Sequence, residues 1–249
     1  MTLPAGLGLI DLHAHVLPGI DDGAADLDDS LAMADQALED GITVVCATPH
    51  IHDDHDVEID ALAGQVDALN RVLRDAGRPL SIARGGELSA PLAARLDDGT
   101  LRAVTLGGSG RWVLVEPGPG PMDGALDECV DALHERGVRC IVAHPERHAG
   151  ADAAQRLTAL VERGALVQVT AAFLTGGHGA APVMLDWAAQ GLVHLVASDA
   201  HSSRAGRPLA IRAGLDALLS VPRLAAHGTW IAREAPAAIL AGDDVTVPF

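Results

Sequence analysis

Histidines and acidic residues recur in this sequence in short clusters. His13 and His15 are separated by one residue, and so are Asp199 and His201. In a β-strand, side chains at positions i and i+2 point to the same side, so either pair could bind one ion. One such pair decides little, because a buried histidine is more often a hydrogen-bonded core residue than a metal ligand.

Clusters of this kind lie at the ends of six apolar runs. The candidate metal ligands in them are His13, His15, His50, Glu87, Glu116, His144, Asp199 and His201. Without cations, taking so many ionisable groups out of water would be very unfavourable. Imidazole and carboxylate ligands suit manganese, iron or zinc, and abundant carboxylates favour neighbouring ions about 3.5–4 Å apart that activate a hydroxide. The sequence therefore predicts a metal-dependent hydrolase.

Seven apolar runs that alternate with helical patterns must position these residues. They cover residues 7–13, 43–48, 80–85, 112–116, 139–144, 166–170 and 193–198. The runs are nearly continuous, which is typical of strands buried on both faces. Seven strand–helix units predict a parallel sheet, either closed as a barrel or doubly wound. In both architectures the active site lies at the carboxyl ends of the strands.

One domain over residues 1–249 is the simplest organisation, because the sequence has no internal repeat and no Pro/Ser-rich linker. The Gly/Pro-rich stretch 116–121 is predicted as a loop. No apolar run approaches the roughly 20 residues that span a bilayer. The first ten residues lack the basic residues of a signal peptide, so we expect a cytoplasmic protein without membrane insertion.

The net charge of −17 argues against non-specific binding of nucleic acid or of anionic membranes. The 17 basic residues are all arginine, so an anionic substrate would be attracted by bound cations or by particular arginines. Cys46, Cys129 and Cys140 are an odd number without a CxxC motif, which disfavours a disulfide framework and a zinc knuckle.

Six motifs contain all eight candidate ligands. They are residues 11–24 (DLHAHVLPGIDDGA), 47–50 (ATPH), 86–87 (GE), 115–116 (VE), 143–147 (AHPER) and 198–201 (SDAH). Together they resemble the polymerase and histidinol phosphatase (PHP) family, and LPGIDDG and AHPER resemble its bacterial capsule-type manganese-dependent protein-tyrosine phosphatases. The resemblance covers almost the whole chain. It implies a single PHP-type domain with an α/β fold, a distorted TIM-like (β/α)7 barrel.

The resemblance also implies a centre of three ions, with manganese favoured and iron or zinc left open. The ligands of the first ion would be His13, His15, Glu87 and Asp199. Those of the second would be Glu87, Glu116 and His144. The third would have His50 and His201, with Asp22 nearby as a ligand or proton-handling group.

Two arginines are implied to bind phosphate. Arg147 matches the first of them. For the second, Arg207 matches best, although Arg204 would serve with a shift of one residue in the alignment. The segment 169–173 reads VTAAF, where the phosphatases usually carry Asn or Ser, so the resemblance implies no particular substrate contact there.

The implied reaction is hydrolysis of phosphotyrosine in a protein by a hydroxide that bridges two ions. The implied partner is the tyrosine-rich tail of a bacterial kinase that regulates polysaccharide assembly. Alternatives are another PHP phosphoesterase, acting on histidinol phosphate or a nucleotide, and an amidohydrolase-type C–N hydrolase. A metal-stabilised binding module is disfavoured because every ligand position is filled. A cysteine-dependent mechanism is also disfavoured, since Cys140 and Arg147 have the spacing C-x6-R instead of C-x5-R.

Three further histidines have open roles. His52 and His55 lie in the acidic stretch HIHDDHDVE, where a solvated loop is favoured over substrate contact. His178 lies in TGGHG, which could form a loop over the site.

Overall fold

The strands are all parallel and form two sheets in the computed structural model, which describes residues 8–176 and 179–249. Within these residues the strands are β1 (Leu9–Ala14), β2 (Ile42–Ala47), β3 (His50–Ile51), β4 (Ser81–Arg84), β5 (Glu87–Ser89), β6 (Trp112–Glu116), β7 (Arg139–Ala143), β8 (Leu166–Thr170) and β9 (Leu195–Ala197). The first sheet has the order β1-β2-β4, and the second has the order β3-β5-β6-β7-β8-β9. Each predicted apolar run overlaps one of these strands, and residue 7 lies outside the described part.

The chain leaves the first sheet after β2 and after β4, and beyond a short break it continues as β3 and β5 of the second sheet. Pro49 separates β2 from β3, because it has no N–H to donate to a ladder. Gly86 separates β4 from β5, and a Cβ there would lie 2.8 Å from Cγ1 of Ile51. The N–H of Glu87 donates to the carbonyl of Pro49 at 3.0 Å, so the pairing resumes beyond both breaks.

Hydrogen bonds also join the first strand to the segment after the last one. The N–H of Asp199 donates to the carbonyl of His13 at 2.9 Å, and the N–H of His15 donates to the carbonyl of Ala200 at 2.8 Å. Ala14 and Ala200 form a parallel bridge. This link favours the barrel-like architecture over an open doubly wound sheet, and it places residues 13–15 beside residues 199–201.

Helices fill the connections between the strands. Those of the described residues are α1 (Leu27–Asp40), α2 (Leu62–Asp75), α3 (Ala90–Ala93), α4 (Asp98–Ala103), α5 (Gly124–Glu135), α6 (Ala153–Glu162), α7 (Ala171–Thr175), α8 (Ala181–Gln190), α9 (Arg212–Leu219) and α10 (Ala235–Ala241). The apolar stripe of α2 is buried, namely Leu62, Val66, Leu69 and Leu73. None of the helices in these residues has the length and apolarity needed to cross a bilayer.

The strands bury both faces, as their continuous apolar sequences predict. In β6, Val113 and Val115 pack in the larger core cluster with α2, α5 and α6 residues, whereas Leu114 packs in a second cluster with Leu12 and Ile141 of other strands. Alternate residues of a strand therefore belong to different clusters. The polar residues at the carboxyl ends of the strands are left to form the functional site.

Candidate metal centre

The eight predicted ligands meet at the carboxyl ends of the strands. Five of them are fully or almost fully buried, namely His13, His15, Glu87, His144 and Asp199. The other three, His50, Glu116 and His201, are partly buried. The fold therefore brings side chains from distant parts of the chain together in one cluster.

The carboxylate of Glu87 lies in the middle of this cluster. Its Oε2 atom lies 3.3 Å from Nε2 of His13, 3.3 Å from Nε2 of His15 and 3.1 Å from Nδ1 of His50. Its Oε1 atom lies 2.8 Å from Nε2 of His144. Among the described residues, the buried Oε2 atom has no hydrogen-bond partner. Four imidazoles thus surround one carboxylate.

Hydrogen bonds on the far side of two rings fix which nitrogen faces Glu87. Nδ1 of His13 lies 2.9 Å from Oε1 of Gln168, and Nδ1 of His15 lies 2.8 Å from Oδ2 of Asp21. Since both oxygens are acceptors, each Nδ1 carries the proton and donates. In the neutral rings, the lone pairs of both Nε2 atoms then point at each other, 3.3 Å apart, and at Glu87. Acceptors that converge in this way fit a divalent cation, and such outer partners are typical of metal-bound histidines.

Protons compete with cations for this space. Burial alone would lower the pKa of His15, but the neighbouring carboxylates of Asp21 and Glu87 outweigh it and raise that pKa to about 10. Burial alone would raise the pKa of Asp21, but the bond with His15 lowers it to about 2. Because imidazole binds a metal in its neutral form, cation binding here must release a proton.

Asp199 connects the cluster with two arginines. Its Oδ1 atom lies 3.5 Å from Nε2 of His13 and 3.6 Å from Nδ1 of His201. Its Oδ2 atom accepts a hydrogen bond from Arg147 and forms an ion pair with Nη2 of Arg207 at 3.2 Å. Burial alone would raise the pKa of Asp199, but the neighbouring imidazoles lower it to about 2. One oxygen therefore faces the cluster, and the other faces the guanidinium groups.

Two further donor sets extend the cluster outward. Oδ1 of Asp22 lies 3.3 Å from Nε2 of His50 and 3.5 Å from Nε2 of His201, and His15 completes this set. Oε1 of Glu116 lies 3.7 Å from Nε2 of His144. Burial and the charge of Glu87 raise the pKa of Glu116 to about 7. The two sets include groups that the family resemblance implies for the third and second ions.

Backbone strain coincides with two of the candidate ligands. His144 has φ 29° and Asp199 has φ 51°, and within residues 8–176 and 179–249 they are the only residues other than glycine with positive φ. Such conformations cost on the order of 1–3 kcal/mol and tend to occur at functional sites. Both strained residues direct their side chains into the centre.

Arg147 and Arg207 line a cavity of about 600 Å³ beside the cluster, together with Phe173. The Cζ atoms of the two arginines lie 5.7 Å and 5.9 Å from the centroid of the Phe173 ring, within the range of cation–π attraction. Arg204 instead pairs with Asp26 on an exposed surface, at 3.2 Å. The geometry therefore places Arg207 at the centre and leaves Arg204 outside it.

Some side chains at the centre are absent from the predicted set. Asp21 and Gln168 orient two histidines, and His148 lies 3.9 Å from Glu116. The solvated-loop interpretation does not hold for His52, whose Nε2 atom is buried 3.4 Å from Oε2 of Glu116. The DDG motif gave a signal for Asp21, whereas His148 and Gln168 had none in the sequence alone. His178 lies outside the described residues.

Replacement of Asp21 by asparagine is expected to weaken metal binding about 10–100-fold. Whichever way the asparagine amide turns, its NH2 group faces an N–H, either Nδ1–H of His15 or the backbone N–H of Gly23. Either the fixed tautomer of His15 or the turn that presents residue 21 is therefore disturbed. Equilibrium dialysis against buffered Mn²⁺ measures the effect. Asp28→Asn, on the exposed first turn of α1, is the matched control, and equal affinities for the two variants would contradict the role of Asp21.

Fold and centre together define a PHP-type α/β protein with a candidate centre for several metal ions. The chain belongs to the CpsB/CapC family of capsular polysaccharide synthesis, whose model matches residues 9–219. Tyrosine-protein phosphatase YwqE of Bacillus subtilis is 32% identical over 198 residues, which are 78% of each chain. CapC of Staphylococcus aureus is 26% identical over 200 residues, 78% of this chain and 77% of that one.

Solved structures agree with this membership. A crystal structure from the work on YwqE of Bacillus subtilis and CpsB of Streptococcus pneumoniae, described there as unique metal-dependent tyrosine phosphatases, has a TM-score of 0.80 at 27% identity and covers 96% of both chains. Histidinol phosphate phosphatase of Lactococcus lactis, solved with zinc, L-histidinol and phosphate, has a TM-score of 0.56 at 12% identity, covers 87% of this chain and 94% of that one, and shows the fold alone. The predicted family and fold class are confirmed.

Proposed function

We propose that this protein is a metal-dependent protein-tyrosine phosphatase. One observation carries the proposal: Asp199 faces the histidine cluster with Oδ1 and two guanidinium groups with Oδ2. A phosphate bound in the adjoining cavity would therefore meet cations on one side and arginines on the other. The names of the relatives in the family support phosphotyrosine as the ester.

The centre would hold three ions through the eight clustered ligands, with Asp22 as a further ligand or proton-handling group. The donors are imidazoles and carboxylates, a set that accommodates Mn²⁺ and also iron or zinc, and manganese is our choice among them. When bound, such cations supply a nucleophile at neutral pH and neutralise charge on the transferred phosphoryl group.

The residues of the chain itself would bind and orient the ester. Arg147 and Arg207 present planar N–H groups that suit two phosphoryl oxygens. Asp199 and Phe173 hold both guanidinium groups at the cavity. A tyrosinate leaves with little protonation, because the pKa of the phenol is about 10. The proposed site thus needs charge and orientation more than a strong general acid.

The proposed substrate is a phosphotyrosine protein, in particular the tail of a bacterial tyrosine kinase that regulates polysaccharide assembly. The family's role in capsular polysaccharide synthesis supports this partner. We place the reaction in the cytoplasm, which suits three cysteines that are all free in the structure. We also propose that residues 1–249 act as one domain.

Removal of metal tests the function directly. Protein stripped with a chelator should lose hydrolysis of p-nitrophenyl phosphate and of a phosphotyrosine peptide, and added Mn²⁺ should restore both. Histidinol phosphate, tested in parallel, should be a poor substrate. Full metal occupancy without hydrolysis of the peptide would refute the proposal, and preferred turnover of histidinol phosphate would assign the other PHP activity.

Cys140→Ser is the control for a thiol mechanism and should keep full activity. Cys140 is only 3% exposed, and burial raises the pKa of its thiol well above the usual value. A buried neutral thiol is a poor nucleophile. Loss of turnover in this variant, with its metal content unchanged, would count against the metal-dependent route.

A further inference from the structure

His148 lies beside the centre but outside the ligand set that the sequence implies. It ends the short 3₁₀ turn Pro145–His148 that follows β7, directly after the AHPER motif. Its side chain is only 11% exposed. A buried imidazole one residue beyond Arg147 needs a partner for each ring nitrogen.

The Gly/Pro-rich stretch 116–121 fixes the orientation of this ring. Nδ1 of His148 donates to the carbonyl of Gly120 at 2.9 Å, since a carbonyl can only accept. The carbonyl of His148 accepts from the N–H of Met122 at 3.0 Å. Because the stretch starts at Glu116, the same loop that leaves the end of β6 holds His148 against that carboxylate.

The other ring nitrogen points into the centre. With Nδ1 protonated, Nε2 of His148 carries a lone pair, and in the described residues this buried atom has no hydrogen bond. It lies 3.9 Å from Oε1 of Glu116, and Nε2 of His144 lies 3.7 Å from the same oxygen. One donor atom from each of these three residues lies within 4.8 Å of the other two.

The separations of 3.9 Å and 3.7 Å from Oε1 of Glu116 are too long for hydrogen bonds but suit ligands of a common ion. Two ligand atoms about 2.0–2.2 Å from a cation are about 3.4 Å apart at a tetrahedral angle and at most about 4.4 Å apart. The hydrogen bond from Nδ1 to a carbonyl is also the outer contact expected of a metal-bound histidine. The contact with the loop, the tautomer and the separations of the ligand atoms therefore all indicate a metal-bound histidine.

We propose that His148 is a fourth protein ligand of the ion held by Glu87, Glu116 and His144. The inference rests on the metal centre of the proposed function. Two imidazoles and two carboxylates form a nitrogen-richer set than the sequence implies for this ion, which favours Zn²⁺ or Fe²⁺ over Mn²⁺.

His52 also approaches Glu116, at the other carboxylate oxygen. Its Nε2 atom lies 3.4 Å from Oε2, but Nδ1 has only Asp54 nearby, at 3.9 Å. No hydrogen bond of the described residues fixes this ring. The inference is therefore limited to His148.

The variant His148→Asn separates ligation from loop structure. An asparagine amide can still donate to the carbonyl of Gly120, but it cannot reach the ion. Equilibrium dialysis against buffered Zn²⁺ should show one ion bound at least about tenfold more weakly, with the others unchanged. With Co²⁺, the visible absorption should shift or weaken, because one imidazole ligand is lost. His148→Ala, which also removes the bond to Gly120, should lose the same ion.

His134→Asn, on the exposed face of α5, is the matched control and should bind metal like the unmodified protein. Unchanged affinity and an unchanged Co²⁺ spectrum in His148→Asn would overturn the assignment. Equal weakening of all ions would overturn it too, since that result indicates a general disturbance. If the unmodified protein binds no divalent cation, the proposed function itself fails, which is a different result.

Discussion

Replacement of Glu87 by glutamine is expected to lower kcat/KM for a phosphotyrosine peptide about 10³-fold. The carboxylate is buried, with Oε2 at 3.1–3.3 Å from three imidazole nitrogens and Oε1 at 2.8 Å from a fourth. An amide would lack the charge needed to bridge two cations. Several kcal/mol of lost charge stabilisation at the transition state corresponds to such a factor, since about 1.4 kcal/mol is tenfold.

Metal content must be measured together with rate in this variant. Glu87→Gln should bind fewer equivalents of Mn²⁺, and metal should raise its unfolding temperature less than that of the unmodified protein. Glu128→Gln makes the same chemical change at an exposed position of α5, away from the centre. Its rate and metal content should match those of the unmodified protein. A kcat/KM within about tenfold of that of the unmodified protein, at full metal content, would show that Glu87 does not bridge two ions.

The positions of the candidate ligands could be predicted because they depend on a regular feature of the fold. Parallel strands bring their carboxyl ends to one edge, so polar residues after separate apolar runs meet there. His13 and Asp199 illustrate this, since they are far apart in the chain but adjacent in space. Apolar periodicity and strand-end chemistry were sufficient for these residues.

Contacts that depend on the path of a loop could not be predicted in the same way. Asp22 and Asp21 are neighbours in the DDG motif, yet it is Asp21 that bonds to His15, because the turn directs its side chain inward. A Cβ at Gly23 would lie 2.3 Å from the carbonyl of His15, so this turn packs tightly on β1. His148 likewise depends on a loop bond to Gly120. Sequence spacing contains no information on either path.

The choice between Arg204 and Arg207 shows the same limit. A shift of one residue in an alignment leaves both possible. In the structure, the buried carboxylate of Asp29 accepts from the hydroxyl of Ser202 at 3.0 Å and from the N–H of Ser203 at 2.9 Å. This anchor fixes the loop after β9, so that Arg207 turns inward to Asp199 and Arg204 outward.

Arg147→Ala and Arg207→Ala should each lower kcat/KM for the phosphotyrosine peptide by about 10²-fold. A hydrogen bond to a charged group contributes about 1.5–3 kcal/mol, and each guanidinium would make such bonds to the phosphoryl oxygens. Lysine at either position should restore little of this loss, because an ammonium group cannot present two parallel N–H donors. Inorganic phosphate should also inhibit the alanine variants more weakly, which provides a readout of binding without turnover.

The double variant tests whether the two arginines act as one clamp. Both bind Oδ2 of Asp199 and lie over the ring of Phe173, so loss of one should already disturb the other. We therefore expect the double variant to lose less than the product of the single losses, with a coupling of about 1–3 kcal/mol. Arg204→Ala, which removes an exposed pair with Asp26, should leave kcat/KM nearly unchanged. If Arg204→Ala instead caused the large loss and Arg207→Ala did not, phosphate would bind outside the cavity beside Asp199, and the proposed clamp would be wrong.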